Sequence, residues 1–396
     1  MAEAGGPAGI LVLNQIAAVG LERLPAERYR AAKDVLDPVA VLVRSADMHA
    51  MAIPASVRAV ARAGAGTNNI PVAALSARGV PVFNAPGANA NAVKELVLAG
   101  MLMAARQVAP ALAFSAALDV NSPDLDRVVE DGKKAFAGFE IAGKDLGIVG
   151  LGKVGSLVAD AAIKLGMQVA GFDPEITVDA AWSLPSQVRR AASIDAVFRN
   201  AQFVSVHVPL LAATRHLVDA KRLALLRPGA VLLNFSRDGI VDNAAVVAAL
   251  DAGRLAAYVC DFPGREIHRH PRVIALPHLG ASTREAEENC AVMVVDQLVD
   301  FLEHGNVVNA VNFPAVAMAR ESAWRVAIAN ANVPNMLGQI STAMASAGLN
   351  IHNMVNKSHG EMAYTLVDVD SPVPAEVLRT IGAIAGVLSV RSLPAG

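Results

Sequence analysis

Apolar residues recur along this chain with two periods, and the way they alternate divides it into three parts. Short apolar runs at Gly9 to Ile16, Val39 to Arg44, Val57 to Arg62 and Val80 to Asn84 are separated by polar, glycine-rich turns. They predict the strands of a small α/β unit. Asn91 to Leu118 carries a helical pattern in which Pro110 predicts a kink or break. Asn121 to Glu140 is polar and without period, and reads as an arm or loop at a subunit contact. Strands are then expected at Leu146 to Val149, Met167 to Phe172, Phe203 to Val208, Val231 to Phe235, Ala256 to Cys260 and Val273 to Leu276, with a helix over Ala244 to Leu250. Strands alternating with helices imply a parallel, Rossmann-type doubly wound sheet, which binds ligands beyond its strand C-termini. Thr283 to His304 reads as a long helix returning to the first unit, and Gly305 to Arg320 as a linker. The tail follows another order: strand, helix, two strands joined at SHGE, helix, strand, from Trp324 to Leu393. That βαββαβ order is ferredoxin-like.

The second part opens on the motif that organises it. Gly150, Gly152 and Gly155 form G-x-G-x-x-G directly after an apolar run. The first glycine permits a tight turn, the second lets the backbone approach a pyrophosphate, and the third lets helix and strand pack closely. Val154, Leu157, Val158, Ala161 and Ala162 then mark one face of a helix, whose N-terminus suits phosphates. Asp173 lies 23 residues past Gly150, at the end of the next apolar run. An acid there accepts hydrogen bonds from a ribose and repels a 2′-phosphate, so NAD is expected over NADP.

The bulk properties narrow the class. With 396 residues, 54% hydrophobic and 18% charged, the chain can bury two or three cores. The most apolar helical run, Leu96 to Ala105, lies between Glu95 and Arg106 and is too short to span a bilayer. No signal peptide is evident. A net charge of −2 gives no attraction to nucleic acid or membrane. Cys260 and Cys290 are the only cysteines, so no disulfide framework is implied and a reduced cytoplasm is the natural setting. No His, Cys or acid cluster has metal-ligand spacing.

Three polar residues sit at or just beyond strand ends after the motif: Arg237, Glu266 and His278. An arginine can fork onto a substrate carboxylate. A histidine can take a hydroxyl proton as hydride leaves. A glutamate beside that histidine fixes its tautomer and stabilises the imidazolium. Taken singly, each is as readily a solvated surface group. His207, before Pro209, is expected to pack near the cofactor, and His268 and His270 to be solvated.

With these residues in place the sequence resembles the D-2-hydroxyacid dehydrogenase family, and within it the branch of D-3-phosphoglycerate dehydrogenases that carries an ACT domain. The resemblance runs through VRSADM, RAGAGTNNIPVAALSARGVPVFNAPGANANAVKEL, GIVGLGKVGS, HVPLLAATRHLVDAKRLALLRPGAVLLNFSRDGIVD and PHLGASTREAEEN. It implies that Arg237 (in N-x-[AS]-R), Glu266 (five residues past Asp261) and His278 (in P-H-L-G) form the catalytic set. NAD contacts are implied at Gly150, Gly152, Lys153, Val154, Gly155, Asp173, His207, Val208, Pro209, Ser236, Asp261 and Gly280. Substrate contacts are implied at Arg44, Arg62, Ala65, Gly66, Arg237 and His278: the Gly64–Asn68 turn for a carboxylate, the two N-terminal arginines for a phosphate. The chain departs from the family pattern at Asp238 (usually glycine), Ile267 (usually proline) and Asn335 (glycine in the ACT pattern N-x-P-G-x-L). The expected domains are a flavodoxin-like substrate domain (1–92 with 285–312), an NAD-binding domain (93–284) and an ACT-like regulatory domain (322–396). The expected activity is NAD-dependent oxidation of 3-phosphoglycerate in a homo-oligomer, dimer or tetramer, with an amino-acid effector at the tail. The alternatives are a reductase of an unphosphorylated 2-keto acid such as glyoxylate or hydroxypyruvate, and an NAD-sensing corepressor or scaffold.

Overall fold

A computed structural model describes residues 6–394. Residues 1–5 and 395–396, which belong to the first and last expected domains, lie outside the described residues. The chain forms two compact units, one from Met1–Asn89 with Arg284–Gly396 and one from Ala90–Thr283.

In the first unit, β1 (Ala8–Leu13), β2 (Tyr29–Ala32), β3 (Ala40–Val43), β4 (Ala59–Arg62) and β5 (Val82–Phe83) make a parallel sheet of order β2-β1-β3-β4-β5. This is the flavodoxin-like order. All four residues of β3 are buried, as expected of a strand covered on both faces. The half-exposed β2, YRAA, has no apolar run to announce it. The long helix Arg284–His304 lays Cys290, Ala291, Val294, Val295, Leu298 and Phe301 into this unit's core.

The second unit is the doubly wound sheet. Its strands are β6 (Asp145–Val149), β7 (Gln168–Phe172), β8 (Arg189–Arg190), β9 (Phe203–Val206), β10 (Ala230–Asn234), β11 (Leu255–Cys260) and β12 (Val273–Ala275). All pair in parallel, in the order β12-β11-β10-β9-β6-β7-β8. Two expectations are corrected here. The helical stretch breaks between Ala90–Ala105 and Val108–Ala116, where Gln107 takes φ 49°, and not at Pro110. Pro110 is the third residue of the second helix, where an N–H has no intrahelical acceptor to lose. The stretch 121–140 holds a helix, Leu125–Gly132, and a 3₁₀ turn, Lys133–Phe136, whose Phe136 ring meets Phe114 at 5.4 Å. None of the residues of Val108–Ala116 or Leu125–Gly132 is buried. No single helix among the described residues is long and apolar enough to cross a membrane.

The tail is an antiparallel sheet of β13 (Trp324–Ala331), β14 (Ile351–His359), β15 (Met362–Val369) and β16 (Val387–Pro394), ordered β14-β15-β13-β16, with helices Met336–Ser346 and Ala375–Gly382. Helices and sheet enclose a core of Val326, Ile328, Met336, Ile340, Val367 and Ile381. The sheet's other face adds Ala327, Ala329, Tyr364, Leu366 and Leu393 to the core of the first unit. Arg325 fastens the two together. Its guanidinium pairs with Asp368 through Nε–Oδ1 (2.6 Å) and Nη2–Oδ2 (2.8 Å), and donates to the carbonyls of His304, Met318 and Ala319. All five N–H groups are thereby used on fully buried partners or backbone, the condition under which a buried ion pair holds. The segment between helix and tail is packed down rather than loose: Val307, Phe313, Val316 and Met318 are buried.

Candidate active site

The glycine loop behaves as its spacing requires. Gly150 has φ 91°, which only glycine adopts freely, and a side chain there would run into the backbone of His207 and into Val208 Cγ1. A side chain on Gly155 would collide with the carbonyl of Gly150, so its absence sets the helix-to-strand distance. A Cβ on Gly152 would meet nothing within 4 Å. Gly152 therefore faces open space, at the N-terminus of helix Lys153–Lys164, where no side chain caps the helix. Lys153 and Val154 supply the first amides of that helix. A diphosphate fits there, against free N–H groups and the positive end of the helix. Asp173 ends β7 as expected, and it also braces the loop. Oδ2 accepts from the Leu151 N–H (2.8 Å) and Oδ1 from Glu175 (3.0 Å), so each oxygen keeps a second lone pair for a ribose hydroxyl.

His207 follows β9 beside this loop. Its Nε2 shares a 2.8 Å hydrogen bond with the buried Ser205 hydroxyl, and desolvation lowers its pKa to about 4. The ring is therefore neutral and packs, as expected from its place before Pro209. Pro209 gives its carbonyl to Thr214 Oγ1 (2.5 Å), which closes the turn after Val208.

The C-terminal ends of β10, β11 and β12 carry the proposed chemistry. At β10, buried Asn234 shapes the turn, accepting from the Ser236 N–H (3.1 Å) and donating to the Arg237 carbonyl (3.0 Å). Ser236 Oγ donates to Val206 O (2.6 Å) and ties that turn to β9. Arg237 is thus turned outward. Its one side-chain hydrogen bond goes to Ser236 O (2.7 Å), and no carboxylate opposes the burial that lowers its pKa. The rest of the fork is available to an anion. Asp238 lies in a 3₁₀ turn where its Oδ1 accepts from Asn243 Nδ2 (3.1 Å), so this charge is tied back to the scaffold.

At β11, Asp261 is 1% exposed. Both its oxygens hold the loop after β12: Oδ1 accepts from Leu279 N–H and Oδ2 from Gly280 N–H, each at 2.7 Å. Gly280 is likewise buried and engaged, and a Cβ on it would come within 3.1 Å of Asp261 Oδ2. His278, two residues earlier, donates its N–H to the Asp261 carbonyl (3.1 Å) and takes φ 59°, a conformation rare for non-glycine residues. Its exposed ring stands edge-on to Phe262 at 5.1 Å. Glu266 is exposed in the loop after β11, beside the buried Ile267 that anchors it. No hydrogen bond joins Glu266 to His278, so in this conformation the imidazole is oriented by Phe262 and the Asp261 clamp. Sequence reasoning missed the clamp and Asn234, although Asn234 is the first letter of the pattern that marked Arg237. Phe262 carried no signal.

The other expected residues lie in the first unit. In the Gly64–Asn68 turn the carbonyls are used internally: Gly64 O by Ala85 N–H, Ala65 O by Asn84 Nδ2, Gly66 O by Arg62. The N–H groups of Ala65, Gly66, Thr67 and Asn68 make no hydrogen bond among the described residues, so they can serve an anion. Arg62 is part of the frame. Nε donates to Arg44 O (2.9 Å) and Nη1 to Gly66 O. Arg44 sits past the end of β3, partly exposed, with Nη2 2.6 Å from Glu287 Oε1. Among the described residues no group of three or more His, Cys, Asp or Glu could hold a metal.

Comparison with known proteins agrees with this geometry. Residues 98–280 match the model of the D-isomer specific 2-hydroxyacid dehydrogenase NAD-binding domain. D-3-phosphoglycerate dehydrogenase of Haemophilus influenzae is 32% identical over 340 residues, covering 83% of this chain and 79% of the relative. The Escherichia coli K12 protein of the same name is 31% identical over 344 residues, with the same coverage. The NAD⁺-bound 3-phosphoglycerate dehydrogenase of Entamoeba histolytica shares the fold at TM-score 0.60 and 24% identity, covering 77% of this chain and 98% of that one. A Rossmann sheet with an open phosphate loop, an unpaired arginine at one strand end and a clamped histidine at another are joined to these likenesses: the chain belongs to the D-isomer specific 2-hydroxyacid dehydrogenases and uses NAD.

Proposed function

We propose that the protein oxidises 3-phosphoglycerate to 3-phosphohydroxypyruvate with NAD, the step that opens the phosphorylated route to L-serine. The observation that carries this reading is likeness at 31–32% identity, over four-fifths of the chain, to relatives that bear that activity in their names. Bound NAD accepts the hydride from C2. The chain's own residues do the rest. Arg237 forks onto the substrate carboxylate and polarises the carbon that reacts. His278 takes the C2 hydroxyl proton as the hydride leaves and returns it in the reverse direction. Glu266 closes onto His278 in the substrate complex, where catalytic hydrogen bonds tighten. Arg44 takes the phosphate by exchanging Glu287 for it. The tail acts as an ACT-type regulatory module for an amino-acid effector in an oligomer. Asn335 supports this, because it adopts φ 62° at the start of helix Met336–Ser346, the backbone conformation for which the family pattern has glycine.

The Arg44–Glu287 pair and the commitment of Arg62 favour a second reading, reduction of an unphosphorylated 2-keto acid. NADH formation or consumption across phosphorylated and unphosphorylated acids separates the two. Arg44→Ala is expected to lower kcat/KM for 3-phosphoglycerate about 10- to 100-fold, the loss of one charge-assisted contact, and to spare hydroxypyruvate. Equal losses on both substrates would make Arg44 structural, and a wild-type preference for the unphosphorylated acid would establish the second reading instead.

A further inference from the structure

Within the first unit, the C-terminal sheet meets the flavodoxin-like sheet around Gly79, whose carbonyl accepts from Ser389 Oγ (3.1 Å). Beside that contact opens a cavity of about 440 Å³. Its polar lining comes from both sides: Arg58 ahead of β4, Arg78 after helix Val72–Ala77, Tyr364 on β15, and Ser389, Arg391 and Ser392 on β16. No aspartate or glutamate lines it.

The three arginines are in different states. Arg78 is fixed, with Nη1 on Ile53 O (3.1 Å) and Nη2 on Pro54 O (2.7 Å). Arg391 lies 4.0 Å over the Phe301 ring and donates Nη2 to Phe301 O (3.1 Å). Its Nη1 is buried and has no carbonyl or carboxylate acceptor among the described residues; the only side-chain oxygen that hydrogen-bonds the guanidinium is the Tyr364 hydroxyl, itself bonded to Gly305 O (2.8 Å). The ionisable neighbours acting on Arg391 are Tyr364, Arg58 and Tyr29, so no carboxylate offsets it. Glu303, which acts on Tyr29, is paired with Arg28 at 3.1 Å. The side chain of Arg58 is exposed and makes neither a hydrogen bond nor an ion pair among the described residues. A buried guanidinium with no carboxylate partner beside a second, unpaired cation is costly unless an anion completes the site.

We propose that this cavity binds a tetrahedral oxyanion, inorganic phosphate or a small phosphomonoester, held between Arg58 and Arg391. Guanidinium groups from both sides of the cavity, with the Ser392 hydroxyl also in its lining, match an anion with three or four acceptor oxygens better than a single carboxylate. Such an anion links the C-terminal module to the α/β domain. The inference rests on the first unit alone and not on the identity of the substrate.

The test is calorimetric titration of the full-length protein, in phosphate-free buffer, with inorganic phosphate and separately with glycerol 1-phosphate. Arg58→Gln is expected to weaken binding about 10-fold or more, the loss of one charge-assisted contact, while turnover without added anion is unchanged. Arg391→Lys, which keeps charge but loses the fork, is expected to weaken it as well. Crystals soaked in tungstate should show an anomalous peak between Arg58 and Arg391. The tighter of the two titrants names the source of the phosphate group. Unchanged affinity in Arg58→Gln, loss of binding in Arg44→Gln alone, or a tungstate peak confined to the Gly64–Asn68 turn would overturn the proposal.

Discussion

Replacing Asp261 by asparagine exchanges one oxygen for an NH₂ at the point that holds the His278 loop. The wild-type carboxylate accepts two backbone N–H groups at 2.7 Å each while 1% exposed. Asparagine can serve one of them; toward the other it presents a donor. One charge-assisted bond, about 1.5–3 kcal/mol, is lost, and leaving an N–H unpaired adds a penalty of similar size if the loop stays in place. Leu279 is 41% exposed, so its amide can turn to water and relieve part of that penalty. A net loss of about 2–3 kcal/mol in the loop's ordered state corresponds to roughly 30- to 150-fold in kcat, if His278 must hold its present place to take the proton. Steady-state kinetics at saturating NAD, with separate KM values for NAD and substrate and a fluorescence titration of NADH, measures this. The expected pattern is a fall in kcat with NADH affinity within about threefold. A normal kcat with a raised KM for NAD would refute the reasoning and make Asp261 a direct cofactor contact.

Other consequences follow from the same structure. Asp173→Ala should narrow the preference for NAD over NADP, read as the ratio of kcat/KM values, and should weaken both cofactors somewhat because Leu151 loses its acceptor. His207 is held neutral by desolvation, its pKa falling from 6.5 to about 4. The unfolded chain thus binds the extra proton between those values, and stability should decline as pH falls through that window. Urea midpoints from pH 7 to 4.5 should fall less steeply in His207→Gln. Arg325→Met strands the buried Asp368 carboxylate and should cost about 3–5 kcal/mol, seen in thermal unfolding; a melting temperature close to wild type would show that the pair does not fasten the tail.

How much of this was legible before the fold depended on how local the cause was. The glycine spacing, the acid after β7 and the order of the tail's elements are statements about neighbours in the chain, and the folded molecule keeps them. Proline is the local signal for a helix break, and the sequence therefore points to Pro110. The break occurs at Gln107, where the side chain donates Nε2 to Ala137 O (3.0 Å) and the returning Phe139 N–H bonds Ala105 O, both 30 residues or more away in sequence. The strand β2 was missed because β1 supplies its hydrogen bonds and its own four residues are too polar to mark it.

The arginines make the same point about function. Arg44, Arg58, Arg62 and Arg325 are equivalent as letters, each at or near a strand end. One is paired with Glu287, one has no partner, one holds the carbonyls of Arg44 and Gly66, and one spends all five donors under the C-terminal sheet. What an arginine can still bind is set by which of its N–H groups the fold has already used, and those acceptors lie up to 43 residues away for Arg325 and 243 for Arg44. By that criterion Arg237, with one internal bond and no ion pair, keeps most of its fork for an anion. Arg62, which the sequence ranks beside Arg44 for the phosphate, is the one whose replacement should first damage the Gly64–Asn68 turn.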